Sequence, residues 1–169
     1  MQMIMAKVEL RFQKVSDAKR FYKILNNPNF IYFSAKPKSI EDEKKWIKAS
    51  YRKRRGNTEH HYTILYGGKV VGGCGIRIDR NRDHIGEMGY FVDEAYWGRG
   101  IAAKAVRILE RIGFGKLKLR RIAILMNSKN SRSERVATKS GYRREALLRK
   151  TIKRKDGKYD NTFIYAKVK

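Results

Sequence analysis

Apolar and polar residues alternate through "KVELRFQ" (7–13): Val8, Leu10 and Phe12 against Glu9, Arg11 and Gln13. That period of two predicts a first strand. Ser16 is then expected to cap a short helix to about Leu25, which "NNPN" (26–29) breaks. In "SIEDEKKWIKASYRKRR" (39–55), Ile40, Ile47 and Tyr51 share a helical face, with Ser39 and Asp42 as a capping box. "HYTILY" and "KVVGGCGIRI", joined by Gly67-Gly68, read as a hairpin, and "HIGEMGYFV" (84–92) as another strand. After Asp93 the period changes, and Ile101, Ala105, Ile108, Leu109 and Ile112 recur at helical spacing. "RRIAILM" (120–126) is a nearly continuous apolar run, suited to a strand covered on both faces. Ser131 and Glu134 form a second expected capping box, opening a helix to about Ser140. Two final strands, near 142–154 and 159–168, flank a "KDGK" turn.

The predicted order is β-α-α-β-β-β-α-β-α-β-β. One strand–helix–strand crossover interrupts an otherwise antiparallel run, which implies an α/β (α+β) fold with helices on the faces of a mixed sheet. A chain of 169 residues suits one sizeable core, so residues 1–169 are expected to form a single domain.

Charge changes the picture. With 41 Lys and Arg against 16 Asp and Glu, the formal net charge is +25. Such a surface attracts polyanions such as nucleic acid, ribosomes or phosphorylated cofactors, and disfavours polycationic substrates such as polyamines. The single cysteine, Cys74, excludes an intrachain disulfide and sits in an apolar run, where it reads as buried and inert. No apolar run reaches the ~18 residues of a membrane-crossing helix, and "MQMIMAKVEL" lacks a signal-peptide plan. A cytoplasmic location is expected, with Met1, Met3 and Met5 all able to mark the start. His60, His61 and His84 show no metal-ligand spacing, and no metal is expected.

The distinctive stretch is "YWGRGIAAKA" (96–105), where two glycines flank an arginine just before a helix. Gly98 and Gly100 bare backbone N–H groups at the positive end of that helix, which makes an anion site with phosphate as its usual guest. No G-x-x-x-x-G-K-[ST] phosphate loop is present. "GRGIAA" satisfies G-x-G-x-x-A literally, but the acidic residue a dinucleotide fold needs ~20 positions on is missing, and "RRIAILMN" stands there.

A third type fits. "FVDEAYWGRGIAAKAV" resembles the acetyl-CoA motif of the GCN5-related N-acetyltransferases (GNAT), whose pattern Q/R-x-x-G-x-G/A falls here on 97–102. Trp97 in its first place is similar to the RimJ/RimL-like branch, which acetylates ribosomal-protein N-termini. "NSRSERVATKSGYRREALLR" and "DGKYDNTFIYA" resemble two further blocks of that branch, in the right order and spacing. The resemblance spans roughly residues 7–168. It implies a sheet of about seven strands with a central splay and about four helices, and acetyl-CoA as co-substrate.

Residue by residue, the resemblance implies that Tyr90, Phe91 and Val92 pair with the pantetheine arm, with an oxyanion donor near the Val92 amide. Trp97, Gly98, Arg99, Gly100, Ile101 and Ala102 would cradle the pyrophosphate. Asn130 would bond the pantetheine, Ser133 would sit near the sulfur, and Arg135 would approach a CoA phosphate. Glu87, a carboxylate amid the apolar strand residues of "HIGEMGYFV", is the expected base, because an attacking amine must lose a proton. The family's usual tyrosine acid falls on Ala137, so Ser133 is the stand-in. Glu145, Asp160 and Tyr165 match family positions and are expected to support the fold or groove. Lys104 departs from an acidic residue common in the branch. The expected activity is acetylation of a primary amine, foremost a protein N-terminal α-amine. Two other readings stay open: an acetyltransferase for a small amine such as an antibiotic or amino acid, and a non-catalytic basic module that binds RNA or ribosomes. The partners implied are acetyl-CoA, a protein or peptide amine, and weakly held nucleic acid, with no membrane and a monomer or homodimer.

Overall fold

The computed structural model describes residues 6–33 and 36–169; the alternative starts at Met1, Met3 and Met5 lie outside them. Its seven strands form one sheet in the order β1-β2-β3-β4-β5-β7-β6. The first four are β1 (Val8–Phe12), β2 (Glu59–Tyr66), β3 (Lys69–Ile78) and β4 (Ile85–Val92), each antiparallel to the next. The others are β5 (Arg121–Asn127), β6 (Arg143–Lys153) and β7 (Tyr159–Val168), with β7 antiparallel to both neighbours. Four α-helices accompany them: α1 (Ala18–Leu25), α2 (Ile40–Arg55), α3 (Ile101–Arg111) and α4 (Ser131–Lys139). Element type and order match the hydrophobic pattern throughout.

The one parallel pairing decides what the fold can do. β4 and β5 are in register only at Ile85–Arg121, Gly86–Ile122 and Glu87–Ala123. Beyond Glu87 both strands continue but part, so the sheet opens into a wedge between Met88–Val92 and Ile124–Asn127.

The period of two sends alternate residues of these strands to opposite faces. Met88 and Val92, with Ile122, Ile124 and Met126, join the apolar stripe of α3 in the main core. That stripe (Ile101, Ala105, Leu109) is the periodicity visible after Asp93. On the other face α1 and α2 cover the sheet. Phe21 and Ile47 are fully buried there, and Phe91 packs against them. Glu43 of α2 is also buried, and burial raises its carboxyl to about 7.

Two helix starts differ from expectation. Ser16 does not cap α1. A 3-10 turn over Val15–Asp17 precedes that helix, and the Asp17 carboxylate accepts the Lys14 N–H at 2.9 Å. Burial alone would raise the Asp17 carboxyl, but hydrogen bonds from Arg11, Lys14 and Thr63 outweigh it and hold it below the usual carboxylate range. Ser131 does not cap α4 either. Asn130 does, its Oδ1 accepting the Ser133 N–H at 3.1 Å. Glu134, the expected far half of that box, instead accepts the Tyr165 hydroxyl at 2.5 Å. The pattern was shifted by one because Asn caps as well as Ser does, and a long-range partner had claimed the glutamate. Ser39 caps α2 as expected, its Oγ accepting the Asp42 N–H at 3.0 Å.

Candidate active site

A cavity of about 440 Å³ occupies the wedge between β4 and β5. The end of β4, the glycine turn and the first turns of α3 and α4 all face it. The Asp93 N–H donates to the Val71 carbonyl at 2.7 Å. Backbone groups alternate along a strand, so those of Phe91 also face β3, while those of Tyr90 and Val92 face the opening. Past Glu87 no β5 residue is paired there to take them. The Val92 carbonyl accepts the Trp97 Nε1–H at 2.7 Å, which pins the indole against the strand end. Phe91 lines the cavity as its neighbours do, but not through its backbone. Its peptide groups belong to the β3 ladder, and its ring lies on the α1–α2 face, edge-on to Phe21 and Phe33.

The glycine turn has the backbone that its sequence demands. Gly98 and Gly100 have φ of 77° and 71°, in the left-handed region where side chains are strained. Nothing lies within 4 Å of where a Cβ would stand on either one, so packing does not exclude a side chain. Backbone conformation disfavours one. Gly100 is the N-cap of α3 and has no side chain to satisfy the first-turn N–H groups, which are left for a ligand. Gly98, Gly100, Ile101 and Ala102 line the cavity, as does Trp97. Arg99 does not; its guanidinium lies over the Tyr96 ring, 5.3 Å from the centroid.

From α4 come Asn130, Ser133 and Arg135, all on the cavity wall. The Asn130 carbonyl oxygen is committed to its cap, which leaves its amide N–H groups as donors. The Ser133 Oγ lies 2.9 Å from the Tyr90 hydroxyl. Burial raises that phenol to about 12, with the Ser133 hydrogen bond offsetting it only in part. Ala137 is fully buried and contributes packing alone.

Glu87 stands apart from these groups. It does not line the cavity; it lies on the α1–α2 face at the last β4–β5 pair, and Arg77 of β3 donates to it at 2.9 Å. Its side chain is 41% exposed, so it meets water rather than the apolar surroundings its neighbours suggested.

Several site residues escaped the sequence reading. Arg132 stacks on Trp97 at 3.8 Å from the ring centroid, a cation–π contact at the cavity wall. The loop after α1 supplies Phe30 and Tyr32, and the Tyr32 hydroxyl donates to the Lys129 carbonyl at 3.1 Å across the opening. Asn27 and Asn29 tie that loop to Glu94 beside the glycine turn, at 2.8 and 2.7 Å. "NNPN" marks a helix break in sequence; its fit to Glu94 depends on contacts between residues more than sixty positions apart.

Residues 7–143 match the family of acetyltransferase (GNAT) domains. The chain belongs to the GNAT family. Solved acetyltransferase structures share the overall fold. One is the microcin C7 self-immunity acetyltransferase MccE in complex with acetyl-CoA and AMP. It is 22% identical, has a TM-score of 0.84, and the likeness covers 96% of this chain and 93% of that one. Among sequence relatives, the protein named probable N-acetyltransferase YjcK of Bacillus subtilis is 30% identical over 118 residues, 68% of this chain and 65% of its own length. The chain thus spans slightly under two thirds of that relative. The ribosomal-protein-serine acetyltransferase of Escherichia coli is 25% identical over 144 residues, 85% of this chain and 76% of its own length.

Proposed function

We propose that this GNAT domain transfers the acetyl group of acetyl-CoA to the α-amine of a protein N-terminus, with a ribosomal protein as acceptor, by direct attack in a ternary complex. The observation that carries this is the wedge. Strand backbone with free hydrogen-bonding groups runs into a left-handed glycine turn at a helix N-terminus. A long ligand with an amide-bearing arm and a pyrophosphate end suits that sequence of groups. The N–H groups at Gly98–Ala102 receive the pyrophosphate, with Arg135 beside it, and the Tyr90 backbone pairs with the pantetheine. The Asn130 amide donates to the same arm, and the Val92 N–H faces the thioester oxygen as negative charge develops there.

The acceptor amine enters from the α1–α2 face, where Glu87 lies. Its carboxylate takes the amine proton through water, and Arg77 holds it in place. An α-amine with pKa ~8 needs less of this help than a lysine at ~10.4. The ribosomal choice is supported by the Escherichia coli relative and by the net charge of +25, which draws the domain toward RNA-rich particles.

The test is acetyl-CoA titration by calorimetry, followed by thiol release with N-terminal peptides of ribosomal proteins. Saturable binding and peptide-dependent release are expected. Binding with release only for small amines would overturn the acceptor, and absence of binding would overturn the cofactor assignment.

A further inference from the structure

The Tyr90–Ser133 pair joins two elements across the cavity, and the sequence reading had no use for the phenol. Tyr90 comes from β4, and Ser133 from the first turn of α4. Its hydroxyl lies 2.9 Å from the Ser133 Oγ and 3.2 Å from the Ser133 carbonyl oxygen. Ser133 is held from the other side, its N–H bound to Asn130. Both residues line the cavity.

The two hydroxyls have one proton each, and two arrangements satisfy the distances. In one, Ser133 donates to Tyr90 and Tyr90 donates to the carbonyl, which leaves nothing for a ligand. In the other, Tyr90 donates to the Ser133 Oγ and the Ser133 O–H is free to point into the cavity. A negative charge there favours the second, because hydrogen bonds to charged acceptors are about twice as strong as neutral ones.

We infer that Tyr90 is a positioning residue for the departing thiolate: it donates to Ser133 and thereby turns the Ser133 O–H onto the CoA sulfur. This rests on the acetyl-CoA reading above. As the C–S bond breaks, its electron pair stays on sulfur and the new C–N bond takes the amine lone pair. The amine proton leaves by Glu87 and water, and the thiolate is protonated by solvent after release. The phenol does not give up its proton: burial raises it to about 12, against ~8.5 for a free thiol. The pair therefore acts by hydrogen bonding alone.

The test titrates the thiol of bound CoA between about pH 6 and 10, read by thiolate absorbance after subtraction of the CoA-free protein's curve, which removes the phenols that ionise toward the top of that range. Wild type, Tyr90→Phe, Ser133→Ala and the double variant are compared, with melting temperature as a fold check. The other titratable groups on the wall are Tyr32, Tyr96, Arg132, Arg135 and Lys139; they are common to all four proteins. Loss of the hydrogen bond is expected to raise the bound thiol by about one pH unit in Tyr90→Phe. Ser133→Ala should raise it as far, and the double variant no further. With an active acceptor, kcat should fall about tenfold in each single variant at unchanged KM for acetyl-CoA. A thiol that titrates alike in wild type and Tyr90→Phe would overturn the inference, as would additive shifts. If Tyr90→Phe melts early, Ser133→Ala decides alone, and an unshifted thiol there is equally fatal. Failure of wild type to bind CoA would bring down the cofactor reading itself, a different result.

Discussion

At Gly100 a single Cβ reports on the whole phosphate cradle. The residue sits at φ 71° with open space around it, so Gly100→Ala should cost about 1–2 kcal/mol of local strain and put a methyl group at the cavity mouth. Acetyl-CoA affinity measured by calorimetry should fall by about tenfold or more, while Arg99→Gln, at a side chain turned onto Tyr96, should change it much less. Glu87 is tested by rate. Removal of a general base costs about 10²- to 10⁴-fold, so Glu87→Gln should lower kcat/KM for an N-terminal peptide by that order near neutral pH. Unchanged turnover at every pH would end its role.

The helices carry their own predictions. Asn130, not Ser131, caps α4, so Asn130→Ala should cost about 1 kcal/mol, seen as a fall of roughly 2–4 °C in melting temperature. Ser131→Ala should be nearly silent. On α2, the buried Glu43 carboxyl is raised to about 7, above its unfolded value near 4.3. The folded state therefore binds more protons between those limits, and stability falls as pH rises from about 4 through 7. Glu43→Gln should match wild type near pH 4 and be more stable above pH 8, by up to about 3–4 kcal/mol. Thermal melts at the two pH values check both the sign and the size. Asp17 works in the opposite direction: its lowered carboxyl contributes stability above the unfolded pKa that is lost as pH falls through the folded one.

Over the whole molecule, the net charge of +25 acts at the range of a Debye length, ~10 Å at 0.1 M salt. Capture of a ribosomal particle should therefore weaken steeply with salt, whereas turnover of a short neutral peptide should not. Measuring kcat/KM for both acceptors between low and moderate salt separates electrostatic steering from the chemistry. Equal salt dependence would leave the charge without a part in acceptor choice. The same scale shows how much was legible. All seven strands and four helices were readable: most bury a face with their own period, and the largely exposed β6 was marked by the "KDGK" turn that follows it. The glycine turn was readable because two left-handed residues before a helix leave a mark in composition. Glu87 has apolar neighbours along the chain, yet its own side chain reaches water beside Arg77. The Tyr90 phenol escaped altogether, since nothing local to "GYFV" says which α4 residue it reaches.

What the sequence determined by itself is whatever depends on neighbours a few residues apart: the strand and helix periods, the Ser39 cap, the turn at Gly98 and Gly100, and the charge. The tertiary structure alone decided where β4 and β5 part. That follows from three pairs in register and then none, a balance between sheet pairing and the helices packed on either face. It also decided that Glu134 serves Tyr165 and that Tyr90 meets Ser133. Each of these joins groups whose partner is chosen by distance in space, and no period along the chain encodes that choice.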